Sequence, residues 1–181
     1  MKHINLNPMN PPLNWQDKLP DELPQGWGER AAVLCQAQSL TAALRALGGS
    51  FAVKVLYMGE LDGQGNSFGK SHTETAAPQF VRDVLLHLNG VPVVQARSAC
   101  SPQSQAWRGV LDCGTQPLGE RLFDGTLPLK RSAFEFCLME NAGGQDDFRR
   151  PVAARRSYFD WDGEVLELTE YFLPGLARIM R

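Results

Sequence analysis

Hydrophobic and polar positions alternate with a period of two through Phe80–Leu88 and again through Val91–Cys100, on either side of Asn89-Gly90. Alternation of this kind marks half-buried strands, and Asn-Gly accepts the positive φ angles of a type I′ turn, so the segment reads as a β-hairpin. A second hairpin follows from Ala154–Trp161, Asp162-Gly163 and Glu164–Leu173, with Pro174 as its stop. Phe51–Tyr57 and Ala133–Met139 are rich in β-branched and aromatic residues and read as strands. Helical spacing appears from Glu29 to Leu47, in Ala32, Leu34, Cys35, Leu40, Ala43, Leu44 and Leu47, before a Gly48-Gly49 stop. Ser39 can cap a second helix and split this segment in two. Ser101–Asp112 and Pro117–Phe123 read as short helices, with Pro117 suited to a first helical turn.

The remaining stretches are punctuated by glycine, proline and polar residues. Gly59–Ala76 and the glycine-rich segment through Gly143 and Gly144 read as surface loops. Residues 1–27 hold five prolines with Trp15 and Trp27 as anchors, so they form an irregular arm packed on the domain of residues 28–181. Six strands, mostly joined as hairpins, with helices early and in the middle, specify an α+β fold: one antiparallel sheet with helices over one face.

Two positions break the apolar pattern. Arg82 alternates with Phe80, Val84 and Leu86, and Glu170 with Leu166, Leu168 and Phe172, so each charge falls on a side meant for the core. Desolvating an isolated ion costs several kcal/mol, and such groups are paired or line a polar pocket. Two readings follow from alternation alone. Arg82 and Glu170 form a buried salt bridge, or they mark the two ends of a pocket for a small anionic ligand, a guanidinium fork for a carboxylate and a carboxyl group for a hydroxyl.

Composition narrows the function classes. A chain of 181 residues fits one domain and buries about 70% of its unfolded surface, enough to enclose a small ligand. A formal net charge of −2 provides no electrostatic footprint for nucleic acid. The N-terminus lacks the apolar run of a signal peptide, and no stretch approaches the roughly 20 apolar residues of a membrane span, so a cytoplasmic protein without stable membrane insertion is expected. Cys35, Cys100, Cys113 and Cys137 contain no Cys-x-x-Cys pair and His3, His72 and His87 stand apart, an argument against zinc and for cysteines acting as small buried hydrophobes. A Cys-His nucleophilic pair is disfavoured because His87 alternates onto the Asp83 side of its strand, away from Arg82. Phosphate-loop, dinucleotide, nucleophile-elbow and zinc-helix motifs are absent. The arginines at 97, 149–150, 155 and 156 remain, either as a solvated face and loop braces or as contacts to an anionic substrate.

Three blocks taken together resemble a known family: Val81-Arg82-Asp83-Val84-Leu85-Leu86 running into the Asn89-Gly90 hairpin and Ala96-Arg97; Pro117-Leu118-Gly119-Glu120-Arg121-Leu122-Phe123; and Ala154-Arg155-Arg156-Ser157 followed by Leu168-Thr169-Glu170-Tyr171-Phe172-Leu173-Pro174. Over residues 28–175 the chain is similar to chorismate lyase, the chorismate pyruvate-lyase of ubiquinone biosynthesis. The resemblance implies a six-stranded antiparallel sheet with helices closing over an internal ligand pocket. It implies that Arg82 grips the ring carboxylate, that backbone groups at Leu40 and Leu118 assist, and that Glu170 holds the ring hydroxyl. Arg82 and Glu170 are then the catalytic pair, with Arg97, Arg155 and Arg156 as supporting or substrate contacts. The implied reaction converts chorismate to 4-hydroxybenzoate and pyruvate with no metal or organic cofactor, in a chain for which a monomer suffices. Ala153-Ala154 departs from the larger residue common before Arg-Arg-Ser in that family. The competing expectation is a non-catalytic binder of an aromatic acid, because the same fold serves as an effector-binding domain in bacterial transcription regulators. Those regulators add a winged-helix domain, for which the 27-residue arm is too short.

Overall fold

The computed structural model describes residues 14–23, 26–62, 77–138 and 153–180. Two short helices come first, α1 (Glu29–Cys35) and α2 (Leu40–Ala46). Ser39 separates them as its position predicts: it is extended, and its Oγ accepts a hydrogen bond from the Ala42 N–H at 3.3 Å, which satisfies a donor the first helical turn leaves open. There follow β1 (Phe51–Leu61), β2 (Gln79–Leu88), β3 (Val91–Cys100), α3 (Gln105–Leu111), α4 (Leu118–Phe123), β4 (Lys130–Arg131), β5 (Glu135–Leu138), β6 (Ala153–Trp161), β7 (Glu164–Phe172) and α5 (Pro174–Ile179). The strands form one antiparallel sheet in the order β1-β2-β3-β7-β6-β4, with β5 also paired to β6.

Both hairpins form where the alternation places them. Asn89 and Gly90 have φ of 53° and 77°, and Asp162 and Gly163 have 51° and 88°, the left-handed pair that a type I′ turn demands. Counting outward from Asp162-Gly163, Trp161 faces Glu164 and the register runs unbroken until Arg155 faces Glu170. The first hairpin is less regular. His87 faces Pro92, but Leu86 faces Val94, which leaves Val93 as the extra residue of a β-bulge. Beyond the bulge Arg82 faces Ser98 and Asp83 faces Arg97.

The structure corrects the expected six strands to seven. The addition, β4, is two residues long, too short for a period to register. A fifth helix is also added. Pro174, read as a stop, occupies the first turn of α5, where a missing N–H breaks no intrahelical bond. The helix lies against β3: a Cβ at Gly175 would come within 2.2 Å of the Pro92 carbonyl oxygen and 2.8 Å of Val91 Cγ1. The loop expected at Gly59–Ala76 begins as strand, since β1 continues to Leu61; residues 63–76 lie outside the described residues, as do Arg149, Arg150 and the segment through Gly143 and Gly144.

Cross-strand partners share a face, so one face carries Phe80, Val84, Leu86, Val94, Ala96, Cys100, Phe159, Leu166, Leu168 and Phe172. These residues pack with Leu34, Leu40, Leu44, Trp107, Val110, Leu111, Leu118, Leu122 and Leu176 from the helices in one apolar cluster. Helix α3 is tied to the second hairpin through its Trp107, whose Nε1–H donates to the Glu164 carbonyl at 2.9 Å and whose ring meets Trp161 edge-on. Trp27 is buried against Phe172, and Gln16 forms an isolated bridge with Phe136. The second face of the sheet is also buried, but polar: Asp83, Arg97 and Thr169 lie there with Val81 and Ala99.

Gly175→Ala forces either α5 or the Pro92 peptide to shift, and we expect a loss of about 1–3 kcal/mol in urea unfolding, the range for overpacking a fitted site.

Candidate functional site

Arg82, Ser98, Leu168 and Ser157 form one row across β2, β3, β7 and β6, and Val84, Ala96, Glu170 and Arg155 form the next row on the same face. Arg82 and Glu170 therefore both face the helical layer, as the alternation requires, but they do not pair with each other. Glu170 is 7% exposed and accepts a hydrogen bond from Arg155 Nε at 2.5 Å. Arg155, 0% exposed, also donates from Nη1 to the Cys35 and Ala37 carbonyls at 2.8 and 2.7 Å, and the Phe134 ring covers its guanidinium at 4.3 Å. Arg155 is thus held by a carboxylate, two carbonyls and an aromatic face, and the pair fixes both the Glu170 carboxylate and the turn between α1 and α2.

Arg82 has a different environment. It is 2% exposed, and its Nη2 donates to the Gly114 and Gln116 carbonyls at 2.8 and 3.2 Å. Its Nε is buried with no hydrogen-bond partner, and no carboxylate ion-pairs with it among the described residues. Burial holds its pKa below the usual arginine range, with Cys113 opposing the fall. The loop it grips leads into α4, whose first residue is Leu118. Leu40 is the first residue of α2, so both carry amide N–H groups outside the intrahelical ladder. The two helix starts lie side by side: a Cβ on Gly119 would stand 3.0 Å from Thr41 Oγ1, and Arg45 forms a salt bridge with Glu120.

Arg97 and Arg156 do not join this group. Arg97 projects to the opposite face and pairs with Asp83 through Nε and Nη2, both at 2.7 Å. Arg156, also on that face, binds Glu135 at 2.6 Å and lies over Trp15. In both cases burial lowers the arginine pKa, but the partner carboxylate together with neighbouring acidic groups raises it further than burial lowers it. Of the arginines expected as supporting or substrate contacts, the pleat sends these two to the far side of the sheet from Arg82 and Glu170.

Arg131 was not singled out in the sequence. It lies on β4 opposite Phe159, with Nε donating to Ser157 Oγ at 3.0 Å and Nη1 to the Gln38 carbonyl at 2.6 Å. Phe123, Phe134 and Phe159 surround its guanidinium at 5.1, 4.2 and 4.9 Å. Its Nη2 is buried without a partner. Burial pulls its pKa down to about 10, with the Glu170 charge opposing and the Arg155 charge adding to the fall. Arg82, buried, and Arg131, half-buried with an enclosed Nη2, are therefore cations short of compensation on the same face as Glu170.

A cleft of about 400 Å³ opens elsewhere, lined by residues that include Gln79, Ala99, Ser101, Tyr158 and Glu167. It contains none of the expected site residues, and an anion there would meet the Glu167 carboxylate, so the chemistry favours the arginine face. Among the described residues no group of three histidine, cysteine or acidic side chains converges as a metal site would require, and no helix is long and apolar enough to cross a membrane.

The family model for chorismate lyase matches residues 18–180. The chain belongs to the chorismate lyase family. The match begins ten residues before the 28–175 span of the resemblance, within the proline-rich arm. A protein of Ralstonia nicotianae described as a probable chorismate pyruvate-lyase is 33% identical over 179 residues, covering 90% of each chain. One from Shewanella amazonensis with the same description is 34% identical, covering 88% of this chain and 83% of its own. Among solved structures, the effector domain of PhnF from Mycobacterium smegmatis is similar at 13% identity, with a TM-score of 0.45, covering 75% of this chain and 88% of that one.

Two predictions follow from the site. Replacing Arg155 with alanine leaves Glu170 buried without its counter-charge, and we expect a destabilisation of about 3–5 kcal/mol, read by urea unfolding. The four cysteines are each at most 9% exposed, and burial raises the thiol pKa of Cys35 to about 12 and of Cys100 to about 11. An aromatic disulfide reagent at neutral pH should therefore label none of them until denaturant is added.

Proposed function

We propose that the chain is a chorismate pyruvate-lyase, converting chorismate to 4-hydroxybenzoate and pyruvate as the entry to ubiquinone biosynthesis, in the cytoplasm and as a monomer. The observation that carries this reading is Arg82: a buried guanidinium with no carboxylate partner among the described residues, fixed by two loop carbonyls, on the face that also holds a buried glutamate.

In the reaction the C3–O bond of the ring breaks with its electron pair leaving on the enolpyruvyl oxygen. The ring becomes aromatic by losing the hydrogen on C4, and that loss is balanced by the hydrogen gained at the enolpyruvyl methylene carbon to give pyruvate. Aromaticity supplies much of the driving force, so the protein's task is chiefly to align the leaving group and the C4 hydrogen in a dry site. Arg82 holds the ring carboxylate in a charge-assisted hydrogen bond, aided by the Leu40 and Leu118 amides. Glu170 receives the C4 hydroxyl, and Arg155 fixes the direction from which it does so. The charge that would strain a lone Arg82 in an apolar layer is met by the substrate itself, which makes ligand binding part of the compensation. A ligand gripped at both ends by buried groups leaves only when the loops before α2 and α4 part, so product release is expected to limit turnover. We assign residues 28–181 as the catalytic domain and residues 1–27 as an arm, of which Trp27 packs against Phe172 and Gln16 bridges to Phe136.

The test mixes purified protein with chorismate and follows 4-hydroxybenzoate and pyruvate separately. Equal appearance of both supports the lyase. If neither forms while 4-hydroxybenzoate raises the melting temperature, the chain is a binder of aromatic acids. Arg82→Ala should lower kcat/KM by the equivalent of about 2–5 kcal/mol, as expected on removing one partner of a buried charge contact. Glu170→Gln keeps the shape; turnover equal to the parent's would reduce Glu170 to a positioning role.

A further inference from the structure

We infer that Arg131 is a substrate-binding residue, whose unpartnered Nη2 takes the carboxylate of the departing enolpyruvyl group. The inference rests on the reading that chorismate is the substrate. Chorismate is a dianion, and Arg82 can serve only one of its carboxylates. The ring carboxylate is para to the hydroxyl, whereas the enolpyruvyl ether is ortho to it. A second cation must therefore stand at the Glu170 end of the site, away from Arg82.

Arg131 meets that requirement. Its charge couples to both Glu170 and Arg155, and its Nε reaches Ser157, in the same row as Arg82 but three strands across the sheet. At about 4.8 Å per strand, Arg82 and Ser157 lie about 14 Å apart between Cα atoms, so the two arginines approach the site from opposite sides. Arg155 is nearer to Glu170 but is committed, with Nε on Glu170 and Nη1 on two carbonyls. Arg131 keeps one enclosed donor unused. Three phenylalanine rings lie around its guanidinium, and the enclosure of Nη2 strengthens any charge-assisted bond formed there. An incoming carboxylate would also relieve the desolvation that depresses the Arg131 pKa.

The product tests this, because 4-hydroxybenzoate has no enolpyruvyl carboxylate. Arg131→Met and Arg131→Lys are compared with the parent full-length chain, measuring KM and kcat for chorismate, the calorimetric Kd of 4-hydroxybenzoate, and the melting temperature. Arg131→Met should raise the chorismate KM by about 10- to 100-fold, the loss of one charge-assisted hydrogen bond, while the 4-hydroxybenzoate Kd stays at the parent value. Arg131→Lys should fall between, since it keeps the charge and loses the fork. If Arg131→Met does not fold, Arg131→Lys carries the same comparison. Should the parent bind chorismate without turnover, its Kd replaces KM. The inference is overturned if chorismate and 4-hydroxybenzoate weaken by the same factor, the behaviour of a structural brace, or if neither changes. A parent that neither converts nor binds chorismate overturns the functional reading, and the inference with it.

Discussion

The cost of holding guanidinium groups in an apolar layer organises this structure. Arg82, Arg131 and Arg155 all lie between the sheet and its helices, and each must find acceptors there. They find them largely in the backbone: Arg155 takes the Cys35 and Ala37 carbonyls, Arg131 takes Gln38, and Arg82 takes Gly114 and Gln116. Four carbonyls of two connecting loops and one at the end of α1 are thus bound by three side chains rooted in the sheet. The loops before α2 and α4 are short of secondary structure, yet their positions are set from below by the same charges that the proposed ligand would contact.

The two faces of the sheet treat cations differently. On the outer polar face Arg97 and Arg156 have carboxylate partners, and those contacts satisfy them. On the helical face, among the described residues, Glu170 is the one buried carboxylate beside Arg82, Arg131 and Arg155, with Arg155 holding it directly. The excess of positive charge in a desolvated layer is the physical reason to look for an anion there, and it separates Arg82 and Arg131 from arginines that merely brace strands.

Much of this was legible in the sequence because it is local. Asn89-Gly90 and Asp162-Gly163 carry their own turn chemistry, and a period of two then locates Arg82 and Glu170 on the core side. Even the partner of Glu170 could have been found by counting outward from Asp162-Gly163, since a two-residue turn pins the register to Arg155. The partner of Arg97 could not, because it depends on a bulge that no residue type announces. Arg131 escaped for a related reason: β4 has two residues, and its side chain gains meaning only from Ser157, Gln38 and three phenylalanines distant in the chain. Pro174 was ambiguous by nature, since the same ring that ends a strand also suits the start of a helix.

The extra residue at Val93 sorts charge. Without it, continuation of the register from the Asn89-Gly90 turn would set Arg97 directly opposite Arg82, two cations side by side in the apolar layer, with Asp83 facing Ala96. One inserted residue rotates the distal half of β3 by a single step, delivering Arg97 to Asp83 on the far face and Ser98 to Arg82 on the near one. The length of that hairpin is consequently constrained by electrostatics and not by its turn: a chain one residue shorter there would keep its fold's hydrogen-bond ladder and lose the isolation of Arg82 on which the proposed chemistry depends.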